Sequence, residues 1–172
     1  MHRSLDGPWR LCVETRREVL ATLDAAPAAR WTARLEPRRW TVAEQADHLI
    51  RSEVGTSKMA RRLIRGDYRE LARAADAPLH GSGLDLYPYG PLAAPEGLVP
   101  APPASWDEAR AQLEAAHLRF AEELGRFEGP DADALAAPDP ATGVWFTLGG
   151  WVRLQGLHEA HHLQQIRALV GA

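Results

Sequence analysis

The stretch TLGGWVRLQGLHEAHHLQQIRALV, residues 147–170, has the pattern of one long amphipathic helix. On a wheel of about 100° per residue, Trp151 and Leu169 fall on one face. His158 and His162 straddle the centre of that same face, because residues four apart lie one above the other. A helix with one apolar face is stable only when that face packs against other elements. This stretch therefore predicts the last helix of a helical bundle.

Three earlier stretches also predict helices, and two of them begin with a capping box. These boxes are TVAE at residues 41–44 and SWDE at residues 105–108. No strand pattern competes with the helices. We therefore predict an all-α four-helix bundle formed by a single domain over residues 1–172. The predicted helices span residues 8–26, 41–66, 105–128 and 147–170.

A long segment, residues 67–104, separates the second and third helices. DYRELARAAD, residues 67–76, predicts a short helix. The following residues, 77–104, are rich in proline and glycine, so we expect no regular structure there. A connection of this length suits a bundle with a crossover, since antiparallel hairpins need only a few residues. It could equally cover a site.

Composition narrows the cellular setting and the class of partner. The 172-residue chain has a net charge of −3 and a pI near 6.2, which excludes a global attraction to nucleic acid or anionic membranes. Its single cysteine, Cys12, forms no internal disulfide and is expected in the core. The first residues lack an apolar signal-peptide core, and no apolar run reaches membrane-spanning length. We expect a cytoplasmic protein without nucleic-acid or membrane partners.

HEAHH, residues 158–162, matches the zinc-protease motif H-E-x-x-H. In such proteases two histidines bind zinc, the glutamate acts as general base, and a third ligand follows downstream. Here the residues after His162, LQQIRALVGA, contain no histidine, cysteine or acidic residue. No predicted strand supplies a substrate-binding edge either. The protease interpretation is excluded, and Glu159, which leans away from the apolar face, is expected at the surface.

Two imidazoles in the middle of one buried face each need a polar partner. A metal bound by His158 and His162 would satisfy both, whereas hydrogen bonds within a metal-free core are the alternative. His161 lies at the edge of the same face. If a metal is bound, its remaining protein ligand comes from upstream.

Four upstream histidines are available for that role. His2 lies in the terminus and His80 in the glycine-rich segment, where solvation is expected. His117, on the third helix, faces the core of the bundle, either as a ligand or as a histidine bonded to a neighbouring helix. His48 has small residues beside it on the second helix. In an antiparallel arrangement it reaches a depth similar to that of His158 and His162, so His48 is favoured.

WTVAEQADHL, residues 40–49, and HEAHHLQQI, residues 158–166, together resemble the DinB/YfiT-like superfamily. The resemblance implies an up-down-down-up four-helix bundle, often a homodimer. It also implies one divalent metal held by His48, His158 and His162. Three neutral imidazoles leave one coordination position open, as in catalytic zinc sites. Zinc is the first expectation, and nickel, manganese or iron also suit these ligands.

Characterised relatives in this superfamily include S-transferases and isomerases that use bacillithiol, mycothiol or glutathione. The resemblance thus predicts a metal-dependent transferase that moves a low-molecular-weight thiol onto a small electrophile. The chemistry is sound because a metal stabilises the thiolate, which is the nucleophile. The alternatives are a non-catalytic metal-binding bundle with a stress-related or protein-binding role, and a metal-free bundle with hydrogen-bonded core histidines.

Two residues are candidates for supporting the metal ligands. Glu53 points into the apolar face of the second helix, where it could accept a hydrogen bond from a ligating imidazole. The alternative for Glu53 is pairing with an arginine. Gln165 shares the His158 face, and it either supports the ligands or forms a plain bond between helices.

Arg51 and Arg62 are candidates for binding the carboxylates of a thiol substrate. They belong to a basic side of the second helix, and such a side is more often just a solvated face. Tyr87 and Tyr89, in the long segment, could line the same pocket, although ordinary loop packing is the more common role.

Overall fold

The computed structural model describes residues 1–89, 94–103 and 105–171. Four long helices dominate this part of the chain, as predicted, and each begins and ends within about three residues of its predicted bounds. The helices are α1 (Asp6–Asp24), α2 (Val42–Arg65), α3 (Trp106–Gly125) and α4 (Leu148–Val170).

Local signals in the sequence set the helix ends. The Thr41 hydroxyl accepts a hydrogen bond from the Glu44 N–H, and the Glu44 carboxylate accepts one from the Thr41 N–H, which completes the predicted capping box. Ser105 caps α3 through its hydroxyl. Gly66 and Gly171 end α2 and α4 with φ of 83° and 80°, a left-handed conformation that favours glycine.

Side-chain contacts establish that α1 and α4 run parallel. Near the start of both helices, the Cys12 thiol donates to the Val152 carbonyl. Near the end of both, Arg167 pairs with Glu18 at 2.8 Å. Residue numbers rise together along the two helices, so the first and last helices point the same way.

The α2 helix runs antiparallel to α4. Gln45, near the start of α2, bonds to Gln165 near the end of α4, whereas Thr56 meets Gln155 further along. The α3 helix is antiparallel to α1, because Arg16 contacts Leu113 and Asp24 contacts Arg110. The bundle is therefore up-down-down-up, as predicted.

The apolar core consists of two clusters along the bundle. One includes Phe120, Phe146 and Trp151, and the other includes Leu49 and Ile166. Charged residues line the outer faces of the helices, and within the described residues none of the helices is long and apolar enough to cross a membrane. The packing places α2 between α3 and α4, which positions its inner face for the candidate site.

A small three-stranded sheet covers one end of the bundle. Its strands are β1 (Leu79–His80), β2 (Ala136–Pro138) and β3 (Trp145–Thr147), in the order β1-β3-β2. The β1–β3 pair is parallel and the β2–β3 pair is antiparallel. The expectation of no strands was wrong, because strands of two or three residues are too short to show an alternating pattern. The exclusion of a protease does not depend on this point, since the missing downstream ligand is sufficient.

The long segment differs from its prediction in two places. Residues 67–76 form turns and irregular chain rather than a helix. Leu71 there is half exposed, so a helix would have no apolar face to bury. Regular structure does occur further on, in β1 and in a short 3-10 helix at Glu96–Leu98. Residues 90–93 and 104, also predicted to be irregular, lie outside the described residues.

Candidate metal centre

The structure brings together His48 from α2 with His158 and His162 from α4. All three side chains are buried, and one ring nitrogen from each lies within 4.8 Å of the others. The Nε2 atoms of His48 and His158 are 3.1 Å apart. Within the described part of the chain, these three residues form a group that could hold a metal ion.

The secondary structure explains this convergence. His158 and His162 are four residues apart, so α4 presents both on one face. Because α2 runs antiparallel to α4, His48 arrives opposite them from near the beginning of its helix. The capping box at Thr41 starts α2 seven residues before His48 and thereby sets the depth that the sequence predicted.

Two of the imidazoles are oriented by hydrogen bonds at their Nδ1 atoms. His48 Nδ1 donates to the Leu98 carbonyl at 3.0 Å, and His162 Nδ1 donates to Gln45 Oε1 at 2.6 Å. A proton on Nδ1 leaves the Nε2 lone pair free. Bonds of this kind fix the tautomer and the ring orientation of metal-ligating histidines.

This donor set fits a divalent metal of the zinc type. Two nitrogens bound tetrahedrally at about 2.0–2.1 Å from zinc lie about 3.3 Å apart, close to the observed His48–His158 separation. Burial lowers the pKa of His48. Burial, followed by the neighbouring His48, lowers the pKa of His162 to about 3, so the neutral form that binds metal is favoured.

The same shifts predict that the metal-free protein loses stability in mild acid. Burial, and then His162 and His48, hold the pKa of His158 well below its ordinary value. Below about pH 6.5 these histidines bind protons in the unfolded chain but stay unprotonated in the folded chain. Each such histidine therefore lowers the free energy of unfolding by up to about 1.4 kcal/mol per pH unit as the pH falls.

Urea unfolding of metal-free protein between pH 7 and pH 5 measures this effect. His158→Gln should show a shallower loss of stability than wild type, whereas a change at the exposed His161, His161→Gln, should follow wild type. Equal slopes for wild type and His158→Gln would contradict the prediction.

Aromatic rings flank the histidine triad. The Trp40 ring lies 4.7 Å from His48 and stacks at 6.1 Å on His162. On the other side, the Tyr87 ring lies 5.6 Å from His158. These rings limit the space around the converging nitrogens.

The long segment between α2 and α3 takes part in this site. Besides Tyr87, it supplies the Leu98 carbonyl that holds His48, and its Ala101 N–H donates to Asp47 at 2.7 Å. Tyr89 instead anchors the segment away from the triad by hydrogen bonding to Asp139. The segment thus covers part of the site, one of the two roles that its length allowed.

Gln165 reaches the triad through a neighbour. Its Oε1 accepts from Gln45 Nε2 at 2.8 Å, and Gln45 in turn holds His162. Gln165 also contacts the exposed His161, whose ring nitrogen is 2.8 Å away. Gln45 was not predicted from the sequence, although its position three residues before His48 places it on the same side of α2.

Glu53 accepts a hydrogen bond from an imidazole, but this imidazole belongs to His117. The Nδ1 of His117 lies 2.8 Å from one Glu53 oxygen, and Arg16 donates to the other at 2.8 Å. The alternative pairing of Glu53 with an arginine is therefore observed. His117 stacks on Trp9 and lies outside the group of three histidines.

The expectation that Glu159 is exposed was wrong. Its side chain is 1% exposed and accepts a hydrogen bond from Arg16 Nε at 2.8 Å. The reason is that α4 is buried on two faces, one against α2 and the other against α1. At Gly156, α4 approaches α1 so closely that a Cβ added to this glycine would lie 2.7 Å from Leu11 Cγ.

One charged or titratable residue from each helix contributes to a buried layer of ion pairs across the bundle: Arg16, Glu53, His117 and Glu159. We call these four residues the polar layer. Although burial alone would lower the pKa of Arg16, the charges of Glu159 and Glu53 raise it, so the guanidinium stays protonated. The layer lies beside the triad, since Glu159 follows His158 directly. The sequence did indicate that Arg16 is buried, because Arg16 lies on the same face of α1 as its apolar residues.

The two candidate arginines lie in different places. Arg51, one turn after His48, pairs with Asp47 at 2.5 Å and remains partly exposed. Arg62 lies fourteen residues after His48, roughly 20 Å along the helix. It contacts Asp67 at 3.5 Å and stacks on Tyr68. The structure therefore does not bring Arg62 to the triad.

Comparison with known proteins agrees with this arrangement. The sequence profile of the DinB superfamily matches residues 12–166, which includes all three histidines of the triad. The chain belongs to the DinB superfamily. The predicted resemblance is thus confirmed across most of the DinB bundle.

A solved structure supports the same fold. TT2238, described as a four-helix bundle protein, is similar over 95% of this chain and 98% of its own, with a TM-score of 0.66 and 24% sequence identity. At that identity, the likeness extends to the fold alone. No curated protein matches this DinB chain by sequence.

Proposed function

We propose that this DinB protein is a metal-dependent transferase that moves a low-molecular-weight thiol onto a small electrophile. The observation that carries the proposal is the convergence of three buried imidazoles, with one ring nitrogen of each within 4.8 Å of the others. Three protein ligands leave one position of a tetrahedral metal exchangeable, which is typical of catalytic sites. His48, His158 and His162 would hold the ion, with zinc as the first candidate and nickel, manganese or iron as others.

The bound metal would supply stabilisation of the thiolate at neutral pH. In the transfer, a sulfur–carbon bond forms while the leaving group departs from carbon with its bonding electron pair. The proton of the thiol is released to solvent. Hydrogen bonds from His48 to Leu98 and from His162 to Gln45 would keep these two imidazoles in a fixed orientation while the thiol reacts.

The nucleophilic thiol would come from a cosubstrate such as bacillithiol, mycothiol or glutathione. The chain's own Cys12 is poorly suited, because burial, and then Glu159, raise the pKa of its thiol well above the ordinary value. Cys12 also lies in the core and donates to the Val152 carbonyl. These features support a separate thiol substrate.

Arg51 is our candidate for binding a carboxylate of that substrate, since it is partly exposed and one turn from His48. The distance of Arg62 does not support the same role for it. We place the protein in the cytoplasm as a homodimer with a small-molecule substrate and without nucleic-acid or membrane partners. The single cysteine and the net charge of −3 support this setting, and the resemblance to a superfamily whose members are often homodimers supports the dimer.

A turnover assay tests the proposal. Metal-loaded protein is mixed with bacillithiol, mycothiol or glutathione and a chromogenic aryl halide, and release of the halide is followed. We expect the wild-type protein to consume one of the three thiols. His158→Ala should abolish this activity, and His161→Ala should keep the wild-type rate. If metal binds but none of the thiols reacts, the result favours a non-catalytic metal-binding bundle.

A further inference from the structure

Two buried polar atoms near the triad have no hydrogen-bond partner among the described residues. They are the Ser52 hydroxyl oxygen and the Gln155 amide nitrogen, Nε2. The Ser52 residue is 8% exposed and the Gln155 residue 2% exposed. Buried polar groups are nearly always paired, so an unpaired one calls for a physical reason.

Both residues lie one helical turn from the metal-binding histidines. Ser52 follows His48 on α2, about 6 Å along the helix, and Gln155 precedes His158 on α4 by about 4.5 Å. The two residues are displaced in the same direction along this antiparallel pair of helices. Both residues therefore lie at the same level of the α2–α4 pair, one turn from the three histidines.

Thr56 holds the Gln155 amide in place. The Thr56 hydroxyl lies 3.0 Å from Gln155 Oε1 and donates to it, which leaves Nε2 as the buried, unpaired end of the amide. The same hydroxyl also lies 3.0 Å from the Ser52 carbonyl, so Thr56 contacts both residues. An amide held by its oxygen keeps its N–H groups available as donors one turn from the triad.

The other unpaired buried atoms are found elsewhere. They are the indole nitrogens of Trp31 and Trp151. Trp151 lies seven residues from His158, about 10 Å along α4, and its ring packs against Phe146. Ser52 and Gln155 are thus the unpaired groups that adjoin the triad within the described residues.

We propose that Ser52 and Gln155 form a subsite that recognises an acceptor oxygen of the thiol substrate, next to its sulfur. This inference rests on the proposed thiol chemistry. In a cysteine-derived thiol, a carbonyl oxygen lies a few bonds from the sulfur, which matches the one-turn displacement of the two donors from the triad. A simple alkyl thiol has no such oxygen. The subsite therefore selects cysteinyl thiols over alkyl thiols, and the stability lost to unpaired donors in the free protein is recovered when the substrate binds.

Cobalt-loaded protein provides the test, because a thiolate bound to cobalt gives a charge-transfer absorption band. The probes are N-acetylcysteine methylamide, which carries carbonyl oxygens, and propanethiol, which has none. Wild type should bind the cysteine derivative more tightly. Gln155→Leu and Ser52→Ala should each weaken that binding about five- to tenfold and leave propanethiol binding within about twofold of wild type.

Two further readouts separate recognition from a structural role. Cobalt stoichiometry should be unchanged in both variants, and the urea midpoint of metal-free Gln155→Leu should rise because a buried unpaired amide is removed. Gln164→Leu, at an exposed position of α4, is the matched control and should bind both probes as wild type does. If Gln155→Leu does not fold, Ser52→Ala alone decides the matter.

The outcomes distinguish this subsite from the proposed function. If wild type binds both thiols but shows no preference, or if the variants keep that preference, the subsite is disproved while thiol binding stands. If neither thiol produces the band in cobalt-loaded wild type, thiol chemistry fails and the subsite fails with it.

Discussion

Replacing His158 with alanine should abolish metal binding. We expect about one divalent ion per wild-type chain and essentially none in His158→Ala, because two imidazoles from separate helices do not complete a site built for three. The loss of metal affinity should be larger than the loss of about 10–100-fold that follows removal of a residue hydrogen-bonded to a ligand. Elemental analysis of protein purified without an affinity tag, after incubation with zinc, nickel or manganese, measures the content.

His161→Ala is the matched control for this experiment. His161 lies on the same helix, is exposed and bonds to Gln165, and it is not one of the three histidines whose ring nitrogens converge. This variant should keep its metal. Wild-type protein without metal, even after incubation, would instead favour a core in which His48 and His158 bond to each other across their 3.1 Å separation.

Replacing Arg16 with leucine should cause the largest loss of stability from a single change. Arg16 is 3% exposed and is the guanidinium shared by Glu53 and Glu159 in the polar layer. Its removal leaves two buried carboxylates without a cationic guanidinium: among the described residues, Glu53 keeps His117 and Glu159 keeps the Thr15 hydroxyl as polar partners. Breaking a buried ion pair in this way costs about 3–5 kcal/mol. Urea unfolding of the metal-free protein, followed by circular dichroism, measures the change.

Arg167→Leu is the control for that measurement. Arg167 also joins α4 to α1, through Glu18, but both side chains are about half exposed. Exposed pairs contribute only about 0–1 kcal/mol, so this variant should stay near wild type. Equal stability of Arg16→Leu and Arg167→Leu would show that the polar layer does not depend on its arginine.

Local patterns were sufficient to predict the helices and the face that His158 and His162 share. Apolar periodicity and capping boxes act within a few residues, so they place helix ends without knowledge of the rest of the fold. The i, i+4 spacing of His158 and His162 likewise fixes their common face. The choice of His48 needed one further assumption, that α2 and α4 run antiparallel, which the structure bears out.

Other features depended on contacts between residues far apart in sequence. The strand Leu79–His80 exists because it pairs with Trp145–Thr147, and two residues carry no alternating pattern of their own. Similarly, the Leu98 carbonyl that orients His48 belongs to a segment whose path no local signal predicts.

Helical geometry over a few turns is enough to predict the four helices, their apolar faces and the histidines that share a face. The second buried face of α4, and with it the position of Glu159 beside Arg16, depends on how the helices pack against one another. The hydrogen bonds from His162 to Gln45 and from His48 to Leu98 depend on the same packing. Burial of a charged residue depends on a partner supplied by another helix, and a helical wheel contains no information about that partner.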